Sequence, residues 1–282
     1  MLKSIQQLLK HASAQLTPTS ETALLDAEVL LCHCLGKNRS FLRTWPEKQL
    51  EISQQKHFAS LVAQRQNGIP IAYLTGHREF WSRTFQVNPD VLIPRPDSEL
   101  LIELSLELLP SNRPCKILDL GTGSGILAIT LAAERPQAQV LAIDISQQAI
   151  TTAKHNADQL NISNTRFMVS HWLDKVVERD FDLIISNPPY IAENDPHLQQ
   201  GDLRFEPTHA LVSTENGLKD IRLLSAQATR HLKPKGYLLV EHGYNQTHEV
   251  QALFAAAQLD NINTFNDLSG QPRVTSGIWN QS

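Results

Sequence analysis

One run of residues limits the possible folds of this 282-residue chain more than any other. Lys116-Ile117-Leu118-Asp119-Leu120 reads as a short buried strand, Gly121-Thr122-Gly123-Ser124-Gly125 as a turn, and the apolar stretch from Ile126 to Glu134 as a helix. Glycines let the backbone approach a ligand closely, and a helix start offers unpaired N–H donors. From there the chain keeps alternating. Strands are expected at 140–143 (ending in Asp144), 165–169, 181–186, 236–241, near 262–266 and at 273–279, with helices at 217–232 and around 247–258. That order predicts an α/β fold built on a doubly wound parallel sheet. The turn is G-x-G-x-G, so Ile126 stands where a dinucleotide-binding fingerprint has its third glycine. A nicotinamide-dependent oxidoreductase is therefore disfavoured. Asp144 lies twenty-three residues beyond Gly121, at the end of the second strand, where a carboxylate can accept both hydroxyls of a ribose; its plainer role is to cap the helix that follows. Trp172, after the third strand, can stack on an adenine or pack at the sheet edge.

The fourth strand runs straight into Ser186-Asn187-Pro188-Pro189-Tyr190. Neither proline has an N–H, so the ladder stops there, and residues before proline are pushed to extended backbone. The expected result is a rigid ledge at a strand's carboxyl end, the edge where open α/β sheets bind ligands. Asn187 offers a side-chain carbonyl oxygen and Pro188 a backbone carbonyl, two fixed acceptors able to hold both hydrogens of one NH2 group. A planar amide or amino nitrogen is a poor nucleophile because its lone pair is delocalised. Acceptors that draw it out of planarity favour its attack selectively in the transition state. Tyr190 supplies a flat face beside it.

Residues 1–67 read as helices. One carries Leu2, Ile5, Leu8, Leu9 and Ala12 and ends at Thr17-Pro18; a second, capped by Ser20, carries Leu24, Ala27, Leu31 and Leu35 and stops at Gly36; a third carries Ile52, Phe58, Leu61, Val62 and Arg65. Glu79-Phe80-Trp81 and Thr84-Phe85-Gln86-Val87 suit a hairpin around Ser82-Arg83. The prolines of Ile93-Pro94-Arg95-Pro96 force an extended segment, after which Asp97 or Ser98 caps a helix; Arg95 and Glu99 read as a linker salt bridge. The amino terminus lacks a secretory core and no apolar run approaches the ~20 residues of a membrane span, so a cytoplasmic protein is expected. Three cysteines (Cys32, Cys34 and Cys115) make neither a disulfide framework nor a zinc site, and no metal is expected. A net charge of −4 argues against a dedicated nucleic-acid binder. The first 75 residues nevertheless carry eight Lys/Arg against five Asp/Glu, a mildly basic region beside an acidic remainder.

Four motifs in this order resemble the HemK/PrmC family: Ile93-Pro94-Arg95-Pro96-Asp97-Ser98-Glu99, Asp119-Leu120-Gly121-Thr122-Gly123-Ser124-Gly125, Ser186-Asn187-Pro188-Pro189-Tyr190 and Arg204-Phe205-Glu206-Pro207. The resemblance covers nearly the whole chain. It implies a class I methyltransferase fold with a seven-stranded sheet and S-adenosylmethionine as methyl donor, without a metal. It also implies a reaction at the side-chain amide nitrogen of the glutamine in the Gly-Gly-Gln motif of class 1 peptide chain release factors, its protein partners. By the same resemblance, Gly121, Thr122, Gly123, Ser124, Gly125, Asp144, Trp172 and Asn187 hold the cofactor, while Asn187, Pro188, Pro189 and Tyr190 bind and orient the glutamine amide. Residues 1–75 become a docking domain, 76–96 a hairpin linker and 97–282 the methyltransferase domain. His171 stands where relatives commonly carry Asp, and a neutral His nitrogen can still accept from an adenine amino group. Two alternatives share the clamp: a glutamine methyltransferase of a ribosomal protein, and an adenine-N6 methyltransferase of nucleic acid. The second must extrude a base and grip phosphates, and no basic cluster serves that purpose.

Overall fold

The computed structural model describes residues 2–281. Helix α1 (Ile5–Leu16) begins at a reciprocal cap: the Gln7 N–H donates to Ser4 Oγ and the Ser4 N–H to Gln7 Oε1. Helix α2 (Ala23–Leu35) ends where Gly36 turns left-handed at φ 60°. Three more follow: α3 (Arg39–Thr44), α4 (Ile52–Gln66) and α5 (Ile71–Thr75). Ile5, Leu8, Ala12, Leu31, Phe58, Leu61 and Val62 form the buried core along the expected stripes. Leu2 and Leu24 do not join it and are 45% and 54% exposed. The second helix starts later than its sequence indicates, because buried Asp26 gathers the surrounding donors. The hydroxyls of Ser20 and Thr22 and Arg65 Nε all donate to its carboxylate, so Ser20 serves Asp26 and caps no helix end. Arg65 also bonds Asp202 at 3.1 Å, and the segment His197–Phe205 belongs to this helical unit together with the residues up to His77.

The second unit comprises Arg78–Pro196 and the chain from Glu206 onward. Strands β1 (His77–Phe80) and β2 (Arg83–Gln86) pair through a turn at Trp81 and Ser82, both left-handed (φ 50° and 57°). The turn falls one residue earlier than expected. Glu99 accepts the Trp81 N–H, and Glu134 takes both the Trp81 indole N–H and the Arg83 guanidinium. Those carboxylates hold a left-handed turn that a tryptophan and a serine, neither of them glycine, rarely adopt alone. Then come α6 (Glu99–Leu108), β3 (Lys116–Leu120), α7 (Ile126–Glu134), β4 (Gln139–Asp144), α8 (Gln147–Gln159), β5 (Thr165–Val169) and β6 (Phe181–Ser186). The short helices α9 (Thr208–Leu211) and α10 (Thr214–Gly217) lead to α11 (Lys219–Ala228), β7 (Leu232–Glu241), α12 (Thr247–Ala256), β8 (Asp260–Asn266) and β9 (Pro272–Trp279).

The seven strands stand in the order β5-β4-β3-β6-β7-β9-β8, parallel as far as β7 and antiparallel beyond it. Both faces of the sheet's centre are covered, which is why β4 and β6 are largely apolar runs, whereas the edge strand β8 is polar and mostly exposed. Leu183 and Ile185 join the core with α6 and α7, while Ile184 joins the core with α11 and α12. A register shift between Phe181 and Leu183 sends Phe181 to the same side as Ile184. The chain winds outward from β3 through β4 to β5, then returns to place β6 on the other side of β3. That reversal opens a crevice between the exits of β3 and β6, the position at which such sheets bind ligands.

Candidate active site

The two sequence motifs meet at this crevice because Leu120 of β3 pairs with Ser186 of β6, and Ser186 Oγ donates to the Leu120 carbonyl at 2.7 Å. The glycine turn is folded onto β4. Gly121 and Thr122 both donate to the Ile143 carbonyl (2.9 and 2.8 Å), and Gly123 donates to Asp144 Oδ2 at 2.9 Å. A cavity of about 170 Å³ opens above, walled by Gly121 and Gly123, Asp144, Trp172, and Asn187 with Pro189. Ile145, His171, His209 and Asp220 also line it, as does the segment from Asp90 to Leu92. Pro188, Tyr190, Thr122, Ser124 and Gly125 are not on its wall. The Thr122 hydroxyl donates to Asp119, the Ser124 carbonyl accepts from Asn156, and Gly125 backs onto Ile129 and Ala153. These three residues shape the loop; they do not line the cavity.

Asp144 does more than cap a helix. Its Oδ1 accepts the Ser146 N–H at 2.9 Å, but the first turn of α8 is capped by Ser146 itself, whose Oγ accepts from Ala149. Burial raises the Asp144 carboxyl above its ordinary value, and the Ser146 and Gly123 N–H groups oppose that rise. Two N–H donors occupy two of the roughly four acceptor positions of a carboxylate. The remainder suit the two hydroxyls of a diol. Trp172, left-handed at φ 42°, is anchored by its indole N–H to Asp220 at 3.1 Å, and a Cβ added at Gly121 would lie 3.6 Å from its ring. His171 Nδ1 lies 3.1 Å from Asp174, so one ring nitrogen is already engaged.

The ledge after β6 is braced from two distant segments. Asn187 Nδ2 donates to Ser98 Oγ at 2.9 Å, Ser98 Oγ donates to Glu241 Oε2 at 2.6 Å, and Tyr190 donates to Glu241 Oε1 at 3.2 Å. Ser98 makes no cap to α6; the carboxylate of Glu241 takes its proton instead. Burial pushes Glu241 up to about 7, against the hydrogen bond from Ser98 and the nearby Arg273. Burial and then Glu241 likewise raise the Tyr190 hydroxyl. Arg95 pairs with Glu206, which also accepts the Ile93 N–H, and Glu99 is engaged with Trp81. Neither Arg95 nor Glu99 bonds the other. Sequence reasoning missed Ser98 and Glu241 as parts of the site, since a serine before a helix and a glutamate ending a strand carry no distinctive signal.

A seven-stranded sheet of this order, with a glycine turn and an acidic second-strand exit at its switch point, has the fold of S-adenosylmethionine-dependent methyltransferases. Residues 111–278 match a family model described as a methyltransferase domain, and residues 7–76 one described as the PrmC N-terminal domain. The chain is 46% identical over 98% of its length to a release factor glutamine methyltransferase of Shewanella oneidensis, covering 96% of that protein. It is also 46% identical over 99% of both chains to the enzyme of the same name from Pseudomonas aeruginosa. Among solved structures, a 16S rRNA N2 G1207 methyltransferase of Thermus thermophilus in complex with AdoMet and guanosine superposes with a TM-score of 0.52 at 19% identity, over 72% of this chain and 49% of that one. This chain belongs to the release factor glutamine methyltransferase family.

Proposed function

We propose that this protein transfers a methyl group from S-adenosylmethionine to the side-chain amide nitrogen of the glutamine in the Gly-Gly-Gln motif of class 1 peptide chain release factors, supporting translation termination. The observation that carries the reading is the orientation of Asn187. Its NH2 is spent on Ser98, so its carbonyl oxygen is the end left to accept from a ligand at the cavity it lines. With the Pro188 carbonyl it forms a two-acceptor clamp for one NH2 group, and Tyr190, held by Glu241, gives the clamp a fixed flank. The clamp aims the nitrogen and strengthens its hold as the amide loses planarity. The proton leaves after the nitrogen has reacted, so no general base is required beside it.

The cofactor supplies an electrophilic methyl group on a sulfonium. The residues present fit it: Gly121 and Gly123 leave the backbone bare, Asp144 retains acceptor capacity for a ribose diol, and Trp172 on the same cavity wall would flank the base. Thr122, Ser124 and Gly125 support that loop from behind. In this reading residues 1–75 dock the release factor body, 76–96 link, and 97–282 carry out the transfer in the cytoplasm. Neither stable nucleic-acid binding, a metal nor a membrane has a part. No described helix is long and apolar enough to cross a bilayer.

The test offers tritiated S-adenosylmethionine with purified release factor, ribosomal protein or duplex DNA in separate reactions. Label on the release factor that disappears when its Gly-Gly-Gln glutamine is replaced is the expected outcome. Label confined to the ribosomal protein or to nucleic acid overturns the substrate.

A further inference from the structure

The geometry points to Glu241 as the positioning residue that sets the polarity of the amide clamp, acting through Ser98 on Asn187 and directly on Tyr190. This rests on the clamp reading above and deepens it. A carboxamide has two ends of similar shape and opposite hydrogen-bonding sense. If Asn187 turned over, the clamp would present an NH2 to an incoming NH2 and repel it. Nothing in Asn187 itself prevents this.

The chain of protons does. An ionised carboxylate only accepts, so the single proton of Ser98 goes to Glu241 Oε2, at 2.6 Å. Ser98 Oγ is then left with lone pairs toward Asn187, and Asn187 must offer its Nδ2, at 2.9 Å. The carboxamide oxygen is thereby turned away from Ser98. The other carboxylate oxygen takes the Tyr190 hydroxyl at 3.2 Å, so one charge orders both side chains of the ledge. Protonation of Glu241 on Oε2 reverses the sequence. Glu241 then donates to Ser98, Ser98 donates to Asn187, and the carboxamide presents its oxygen inward. The groups that bias this charge come from separate elements: Arg273 of β9 favours it, and Asp97, ahead of α6, and the phenol of Tyr190 stand beside it. Arg273 is itself shared between Asp97 and Asp267, at 3.3 and 3.2 Å.

The experiment measures kcat at saturating cofactor between pH 5.5 and 9 with whole release factor as substrate. The full-length proteins are wild type, Ser98→Ala, Glu241→Gln and Asn187→Ala, with cofactor affinity measured alongside. In Glu241→Gln the Tyr190 hydroxyl claims the new carbonyl, which leaves an NH2 facing Ser98. Ser98→Ala and Glu241→Gln should each lower kcat by a factor on the order of ten to a hundred, with cofactor affinity held within about twofold. Wild type should show an acid limb below about pH 7, and both variants should abolish it. A structural role alone would not move that limb. Normal kcat in both variants while Asn187→Ala is inactive would overturn the positioning role and leave the clamp standing. Normal turnover by Asn187→Ala would sink the clamp itself. An acid limb that persists in Ser98→Ala also defeats the proposal, and this arm decides if Glu241→Gln does not fold.

Discussion

Two buried carboxyls, Asp119 on β3 and Glu241 at the end of β7, invite comparison. Burial brings each to about 7 from ordinary values of 3.8 and 4.5, yet they are built into the site in different ways. Asp119 is served from its own stretch of chain: the Thr122 hydroxyl at 2.7 Å and the Ala128 N–H at 3.2 Å both reach Oδ2. Its Oδ1 has no partner among the described residues. Glu241 is served by Ser98 and Tyr190, 143 and 51 positions away. The cofactor side of the crevice is thus assembled over short stretches of chain, a turn around one acid tied to the end of the next strand. The clamp side exists only once three remote segments have come together. Damage to the first should appear in cofactor affinity, and damage to the second in turnover.

The most severe break on the clamp side is expected at Gly217. Its φ is 85°, and a Cβ there would lie 2.0 Å from the Tyr190 carbonyl oxygen and 2.7 Å from Gln246 Nε2, the group that donates to that same carbonyl. Gly217→Ala must shift the backbone of the ledge. Turnover should drop by a factor on the order of a hundred while cofactor affinity is largely kept, as read by single-turnover rates and calorimetry. If cofactor affinity collapsed and turnover at saturation did not, the two sides would not be separable in this way. The counterpart on the other side is Asp144→Ala. It removes the acceptor of the Gly123 and Ser146 N–H groups along with the diol contact. Cofactor dissociation constants should rise roughly ten- to a hundredfold, with kcat at saturation nearly unchanged. Unaltered cofactor binding would remove Asp144 from the ribose role.

The same contrast explains what could be read from sequence. The doubly wound sheet was legible because a sheet covered on both faces writes its strands as apolar runs, and the turn at 121–125 announces itself through glycine spacing. Asn187 and its prolines were legible as a stop in a ladder. The sequence offers Asp97 or Ser98 as a helix cap, because either residue before Glu99-Leu100-Leu101 favours that role locally; only the arrival of Glu241 from β7 diverts the Ser98 proton. The hairpin turn fell at Trp81-Ser82 because Glu99 and Glu134 pin it from α6 and α7. Its spacing predicts Leu24 inside, but Asp26 starts α2 later and leaves that leucine exposed. In each case a carboxylate drew a partner from outside its own element and overrode a local preference.

The pH dependence of stability offers the finest discrimination between the two carboxyls. Each has a folded-state value above its ordinary one, so the folded protein holds these protons more tightly than the unfolded chain does. Stability is therefore greatest near pH 4 with respect to these groups and falls as pH rises toward 7, where both become ionised in the fold. Between pH 5 and 7 each carboxyl should remove about 1 to 2 kcal/mol. Urea unfolding of Asp119→Asn and Glu241→Gln at pH 5 and 7 should show part of that slope missing in each, with the amide variants gaining on wild type at the higher pH. The two should then part company in function. Glu241→Gln gains stability relative to wild type at pH 7 and loses turnover, the pattern of a charge retained at a cost to the fold because the site requires it ionised. Asp119→Asn touches no clamp residue and should keep its turnover at saturating cofactor. A Glu241→Gln enzyme with an unchanged stability slope would mean that Glu241 is already ionised in the fold at pH 5, and an acid limb of turnover near pH 7 could not then be assigned to it.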